Sequence, residues 1–248
     1  MKLEITGLTF SYGTKSIISG LDFSLEEGEF VSILGPSGCG KSTVLKLLTG
    51  VLKADGGSVF LDGKEVKDRG ACFAYMPQND LLFPWKNILD NVCLYGRIHG
   101  QQEQMKAEAM ARFPIFGLEG YEKAYPSALS GGMRQRAAFL RTSLMPASVM
   151  LLDEPFGALD VITRGQMQDW LLSMRESLNR TVLLVTHDMD EAIYLSDRIL
   201  IMGQAPSSSV RQILVEEPQA NRTRDWLYGQ SSLRRQIYHE ISRMGEAL

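Results

Sequence analysis

Two glycine-rich stretches carry residue types suited to gripping phosphate. The first, Gly35-Pro36-Ser37-Gly38-Cys39-Gly40-Lys41-Ser42-Thr43, fits the pattern Gly-x-x-x-x-Gly-Lys-Ser. Small residues at this spacing let successive backbone N–H groups turn inward around phosphate oxygens. The lysine ammonium then reaches the terminal phosphates of a nucleotide, and the serine hydroxyl is placed to ligate Mg²⁺. The second stretch, Leu129-Ser130-Gly131-Gly132-Met133-Arg134-Gln135-Arg136, puts a hydroxyl and exposed N–H groups at a helix start, which is another place for an anion.

The flanking sequence has the form that a phosphate loop requires. Phe30, Val31, Ile33 and Leu34 form a short apolar run before it, and Val44, Leu45, Leu47, Leu48, Val51 and Leu52 recur at helical spacing after it. Three further apolar runs end in polar groups: Val149–Leu152 in Asp153-Glu154, Val182–Thr186 in His187, and Cys72–Pro77 in Gln78. Ligands of open α/β sheets bind outside the carboxyl ends of parallel strands, so these endings converge on one place. Taken singly, His187 also reads as a satisfied histidine at a strand end, and Asp153 as a helix cap.

The chain has 248 residues and a formal net charge of −3, enough for one large domain or two intimate subdomains and no electrostatic case for nucleic acid. Cys39, Cys72 and Cys93 are scattered, unlike a disulfide framework or a zinc site, which points to a reducing compartment. His99, His187 and His239 show no metal-ligand spacing. Met1-Lys2-Leu3-Glu4 lacks the apolar core of a signal peptide, and no stretch approaches a membrane span, so a soluble, cytoplasmic chain is expected.

Short β segments are expected at Lys2–Ile5, Leu21–Leu25 and Ser58–Leu61, the last entering a hairpin turn at Asp62-Gly63. Residues 89–141 read as helical, with loops at Gly96, Gly100, Pro114, Gly117 and Pro126. Gln166–Ser177 and Met189–Leu195 are further helices. Ala205–Ser209 reads as a loop, and Arg222–Arg243 as a polar, arginine-bearing helical tail to which no chemistry is assigned.

Over residues 1–203 the chain resembles the ATP-binding-cassette (ABC) ATPases. The phosphate loop, Gln78, Leu129–Arg136, Leu151–Pro155, Gly157-Ala158-Leu159-Asp160 and His187 fall in that family's order, and the Ser-Gly-Gly turn is its most specific element. The resemblance implies an α/β fold: a P-loop NTPase (RecA-like) core, an antiparallel β subdomain near the N-terminus, and an α-helical subdomain at about 86–142 that carries Ser130. The 204–248 segment would be a C-terminal helical tail outside the ATPase domain.

The same resemblance implies roles. ATP and Mg²⁺ are the expected ligands, with Tyr12 stacking on adenine or else an ordinary turn tyrosine. Gly35, Pro36, Ser37, Gly38, Cys39, Gly40, Lys41, Ser42 and Thr43 would hold the phosphates. Ser42 and Gln78 would ligate the metal and Asp153 would hold it through water. Glu154 is the expected general base or water-positioner, with Gln78 and His187 beside it. Ser130, Gly131, Gly132 and Gln135 would cap the ATP of an opposite subunit in a head-to-tail homodimer, with Asp160 in the loop across the dimer. The apolar loop Asn79–Trp85 would receive a helix of an integral membrane permease, although Phe83 and Trp85 also read as core. Residues 131–136 and 153–160 look most like importers of the nitrate, sulfonate and taurine type. Those work at the cytoplasmic face of the membrane with a periplasmic or extracellular solute-binding protein, and no nucleic acid is involved. An ABC ATPase outside solute transport, in lipid handling, division or repair, is the alternative. Gly157 stands where many relatives have Ser, Met133 and Arg134 replace commoner glutamine-type residues, and Cys39 reads as a small residue that fits or as a modifiable thiol.

Overall fold

The structure is a computed structural model that describes residues 1–67, 72–157, 159–178 and 180–245. Strands β1 (Leu3–Tyr12), β2 (Lys15–Leu25), β4 (Gly56–Leu61) and β5 (Lys64–Glu65) form an antiparallel sheet in the order β2-β1-β4-β5. Along β1, Leu3 and Ile5 are buried and so are Leu8 and Phe10, a step that breaks strict alternation. The register shifts between Ile5 and Leu8, around Gly7 at φ 60°, and that bulge returns the later pair to the core face. Asp62 and Gly63 both have positive φ, as the tight turn between β4 and β5 requires.

A second sheet runs β10-β9-β3-β8-β7-β6, built from β3 (Phe30–Leu34), β6 (Phe73–Met76), β7 (Val149–Asp153), β8 (Thr181–Val185), β9 (Arg198–Met202) and β10 (Val210–Leu214). All neighbours are parallel except β10, which pairs antiparallel with β9. Both faces are covered, so β3, β7 and β8 are buried at every residue. Val31, Ile33, Leu151, Leu183 and Val185 face one core, shared with β1, β2 and α1 (Lys41–Leu48). Phe30, Leu34, Met150, Leu152 and Leu184 face the other. That second core packs against α2 (Ile88–Val92), α3 (Leu94–Ile98), α4 (Gln102–Arg112), α5 (Gly131–Ser143), α6 (Val161–Leu178) and α7 (Met189–Leu195). Leu227 of α8 (Arg224–Gly229) and Ile237 of α9 (Ser231–Gly245) close it.

Several local expectations differ from the structure. Helix α1 stops at Leu48, with Thr49 as its cap and Gly50 at φ 74°, so Val51 lies outside it and is exposed. Gly96 is a helical residue of α3, not a loop marker. A Cβ there would come 2.7 Å from that of Met105, so glycine is what lets α3 and α4 meet. Helix α6 starts at Val161, earlier than the periodicity suggests, because exposed Val161 and Ile162 obscure the pattern. The segment after Gly203 is not helical throughout: β10 extends the second sheet, and its half-polar sequence reflects an edge strand with one solvated face.

Candidate nucleotide site

The phosphate loop joins β3 to α1. Its glycines are sterically required: a Cβ on Gly35 would lie 2.5 Å from the Met202 carbonyl oxygen, and one on Gly40 would lie 2.9 Å from Ile17. Gly40 also caps α1 from the left-handed region, at φ 106°. The buried Lys41 ammonium donates to the carbonyls of Gly35 (2.8 Å) and Pro36 (2.9 Å), so it sits inside the loop rather than beside it. Tyr12, half-exposed at the end of β1, joins Ile17, Ser37, Lys41, Ser42 and Glu154 around a cavity of about 360 Å³. Cys39 is buried, and burial pushes its thiol up from the ordinary value, which suits the small-residue reading over a reactive one.

Residues from separate strand ends meet at the loop. The Ser42 hydroxyl donates to Asp153 Oδ1 (2.8 Å), and Tyr75 OH donates to Oδ2 (3.2 Å). Burial raises the Asp153 pKa from its ordinary value, against the hydrogen bonds from Ser42 and Tyr75. Glu154 follows at φ 45°, an unusual conformation for a residue with a side chain, held by its N–H donating to Val185 O (2.8 Å). Its carboxylate lies between Gln78, whose Nε2 donates to Oε2 (3.2 Å), and His187, whose Nδ1 is 3.3 Å from Oε1. Gln78, expected as a metal ligand, here directs its amide N–H at Glu154.

Sequence reasoning missed the residues behind His187. Thr186 Oγ1 donates to the buried Glu191 carboxylate (2.6 Å) and accepts from the Asp188 N–H (3.0 Å). Burial pushes Glu191 up to about 6. Tyr75 was also missed; its signal was a polar tip within an apolar run.

The second glycine-rich turn lies elsewhere on the chain. Ser130 caps α5, its Oγ accepting from the Met133 N–H (3.3 Å). Gly132 is packed against α6, where a Cβ would come 2.6 Å from Thr163 Cγ2. Gly131 and Gln135 line a cavity of about 480 Å³ with Gln78, Asn79, Asp80, Leu81, Arg134 and Leu159, separate from the phosphate-loop cavity. Gln135, expected with Ser130, Gly131 and Gly132 to cap the ATP of an opposite subunit, is buried, its amide donating to the Pro155 carbonyl. Exposed Asp160 caps α6 by accepting from Ile162 and Thr163 N–H (3.1 Å each), and those bonds hold its pKa below the usual range. Ala158 lies outside the described residues. In the apolar loop, Leu82 is buried, while Leu81 and Trp85 are 59% and 70% exposed, so the core reading fails for Trp85.

The donors present suit ATP with Mg²⁺. A hydroxyl, a carboxylate and an amide are hard oxygen ligands, and Mg²⁺ characteristically takes one or two carboxylates and completes its shell with phosphates and water. Among the described residues no cluster of three His, Cys, Asp or Glu forms an all-protein metal cage. No described helix is long and apolar enough to cross a membrane.

The family described as ABC transporter matches residues 18–157. The chain is 44% identical over 215 residues to the formylaminopyrimidine import ATP-binding protein ThiZ of Halalkalibacterium halodurans, covering 86% of this chain and 84% of that one. It is 38% identical over 231 residues to the taurine import ATP-binding protein TauB of Escherichia coli O157:H7, covering 93% and 89%. Among solved structures, a dimeric bacterial ABC transporter cassette superposes with a TM-score of 0.73 at 27% identity, covering 87% of this chain and all of that one.

Proposed function

The chain belongs to the ABC transporter family, and from that premise we propose that it is the ATP-hydrolysing subunit of a small-solute importer, with Glu154 as the base. The observation that carries the mechanism is the Glu154 carboxylate held between Gln78 and His187 at the end of β7, beside the Lys41 loop. Glu154 accepts a proton from water as the water oxygen bonds to the γ-phosphorus; the bond from that phosphorus to the bridging oxygen breaks, leaving ADP and phosphate. Lys41 and the loop N–H groups neutralise the phosphate oxygens, and His187 keeps the γ-phosphate and water in register. Ser42 and Gln78, with Asp153 through water, would hold Mg²⁺, which would supply charge neutralisation to the phosphates. Little covalent work falls to the protein, so this placement of charge is the catalysis.

The second cavity supports a two-chain site. Gly131, beside Ser130 in the turn, does not line the phosphate-loop cleft of its own chain, which fits Ser130 reaching the γ-phosphate of a second copy. Two copies related head to tail then enclose two ATP molecules, with Asp160 across the junction. Hydrolysis removes the γ-phosphate that joins them, and the halves part.

Leu81, which shares a cavity with Gln78, and Trp85 are both exposed and fit a docking site for a membrane permease. That would hold the chain at the cytoplasmic face of the membrane, with a solute-binding protein engaged indirectly. The names of the relatives point to taurine-like sulfonates or pyrimidine precursors as the solute class. Purifying the tagged chain from native membranes in mild detergent tests the assignment. A polytopic membrane protein at one-to-one stoichiometry is expected, while recovery of only soluble partners or of a lipid-handling or division complex would discard the importer.

A further inference from the structure

The C-terminal segment grips the helix that follows His187 at both ends. Helix α7 has seven residues, too few to hold a helical place unaided, so its neighbours decide where it sits. At its start, Arg234 Nε donates to Asp190 Oδ1 (2.6 Å), while the other guanidinium nitrogens donate to the Leu227 (2.8 Å) and Tyr228 (3.3 Å) carbonyls. At its end, buried Arg222 donates to the Ser196 (2.7 Å) and Tyr194 (3.2 Å) carbonyls, placing a cation where the helix dipole is negative. Arg224 stacks 4.4 Å over the Tyr194 ring and reaches α6 through Asp169 (2.8 Å), Gln168 (2.9 Å) and the Gly165 carbonyl (2.5 Å). Helix α6 in turn holds the cap of α7, with Arg164 3.4 Å from Asp188.

The His187 side chain is 57% exposed, so its own ring has little packing to fix it. Its position comes from the Thr186-His187-Asp188 backbone, and that backbone is anchored to α7 through Asp188 and Glu191. Leu227 and Ile237 already bury the tail against the core; the arginines add direction, aimed at the ends of α7. We infer that Arg222, Arg224 and Arg234 are positioning residues that set where His187 stands, making the tail a working part of the hydrolytic site. This rests on the role of His187 proposed above.

The test uses the full chain, reading Mg-ATP turnover by phosphate release and ATP affinity by calorimetry. Arg234→Ala is expected to lower kcat about fivefold while the ATP Kd stays within about twofold, since the phosphate loop is untouched. Asp190→Asn removes the same ion pair from its other end and should match it if Arg234→Ala folds poorly. The charge-swapped pair Arg234→Asp with Asp190→Arg should recover most of the loss. In a His187→Ala background, Arg234→Ala should change kcat by less than about twofold, because both act through one group. An unchanged kcat in Arg234→Ala and Asp190→Asn, or a full additional loss in the His187→Ala background, overturns the inference while His187→Ala itself remains slow. If His187→Ala turns over like the wild type, the role of His187 falls and the inference with it.

Discussion

His187 Nδ1 lies 3.3 Å from Glu154 Oε1, joining the end of β8 to the residue after β7. The imidazole is largely exposed and the carboxylate largely covered, so Glu154 is the group held in a defined place. Glu154→Gln keeps the shape and removes the proposed base. ATP binding should persist while turnover falls at least ~100-fold, about 2.7 kcal/mol of barrier. Near-wild-type phosphate release would remove Glu154 from the mechanism.

That variant should also trap the proposed two-chain state. Glu154→Gln with Mg-ATP should elute as a dimer from gel filtration at micromolar concentration. Adding Ser130→Arg fills the space at the start of α5 and should return the chain to monomer. A monomer with Glu154→Gln alone, or a dimer that survives Ser130→Arg, argues against the composite site.

Glu191 ties stability to pH. Its pKa is raised from 4.5 to about 6 by burial, so the folded state holds this proton more tightly than the unfolded chain. The stabilisation is present in full below pH 4.5 and is lost as pH rises through about 6. The difference corresponds to about 2 kcal/mol. Glu191→Gln retains an acceptor for Thr186 and has no charge to bury. Urea unfolding should therefore show the variant gaining on the wild type between pH 4.5 and 7, with little difference at pH 4. A constant offset across that range would place the effect elsewhere.

Two glycines should answer a side chain oppositely. Gly132→Ala puts a Cβ 2.6 Å from Thr163 Cγ2 and forces α5 from α6, at a cost of about 1–3 kcal/mol. At exposed Gly157 the nearest atoms to a Cβ are 3.5 and 3.6 Å away, ordinary contact distances. Gly157→Ser should stay within about 0.5 kcal/mol of the wild type. Denaturant midpoints of the two variants compare them directly; equal losses would contradict the packing.

Much of this architecture is legible in the sequence. The apolar runs ending at Leu34, Asp153 and Thr186 read as buried parallel strands because no solvated strand sustains such runs, and the phosphate loop could only sit between the first run and a helix. Met189–Leu195 is legible because the whole helix lies within its own window of sequence. Strand β10 is not, because half its residues face solvent and only pairing with β9 makes it a strand. Gly96 read as a breaker because its reason for being small, Met105 on the next helix, is a packing partner and not a neighbour in the chain.

Which residues stand at strand ends and loop starts follows from local propensity, steric freedom at glycine and the period of burial. Which of them touch follows only from how the elements dock in three dimensions. The fold puts Gln78 and His187 around the Glu154 carboxylate and turns Gln135 inward to Pro155. It also sends Arg234 across 44 residues to Asp190 and Arg222 across 28 to Tyr194. Such contacts depend on how separate elements dock. A charged residue on a polar helix looks the same in sequence whether it meets water or a carboxylate brought to it by the fold.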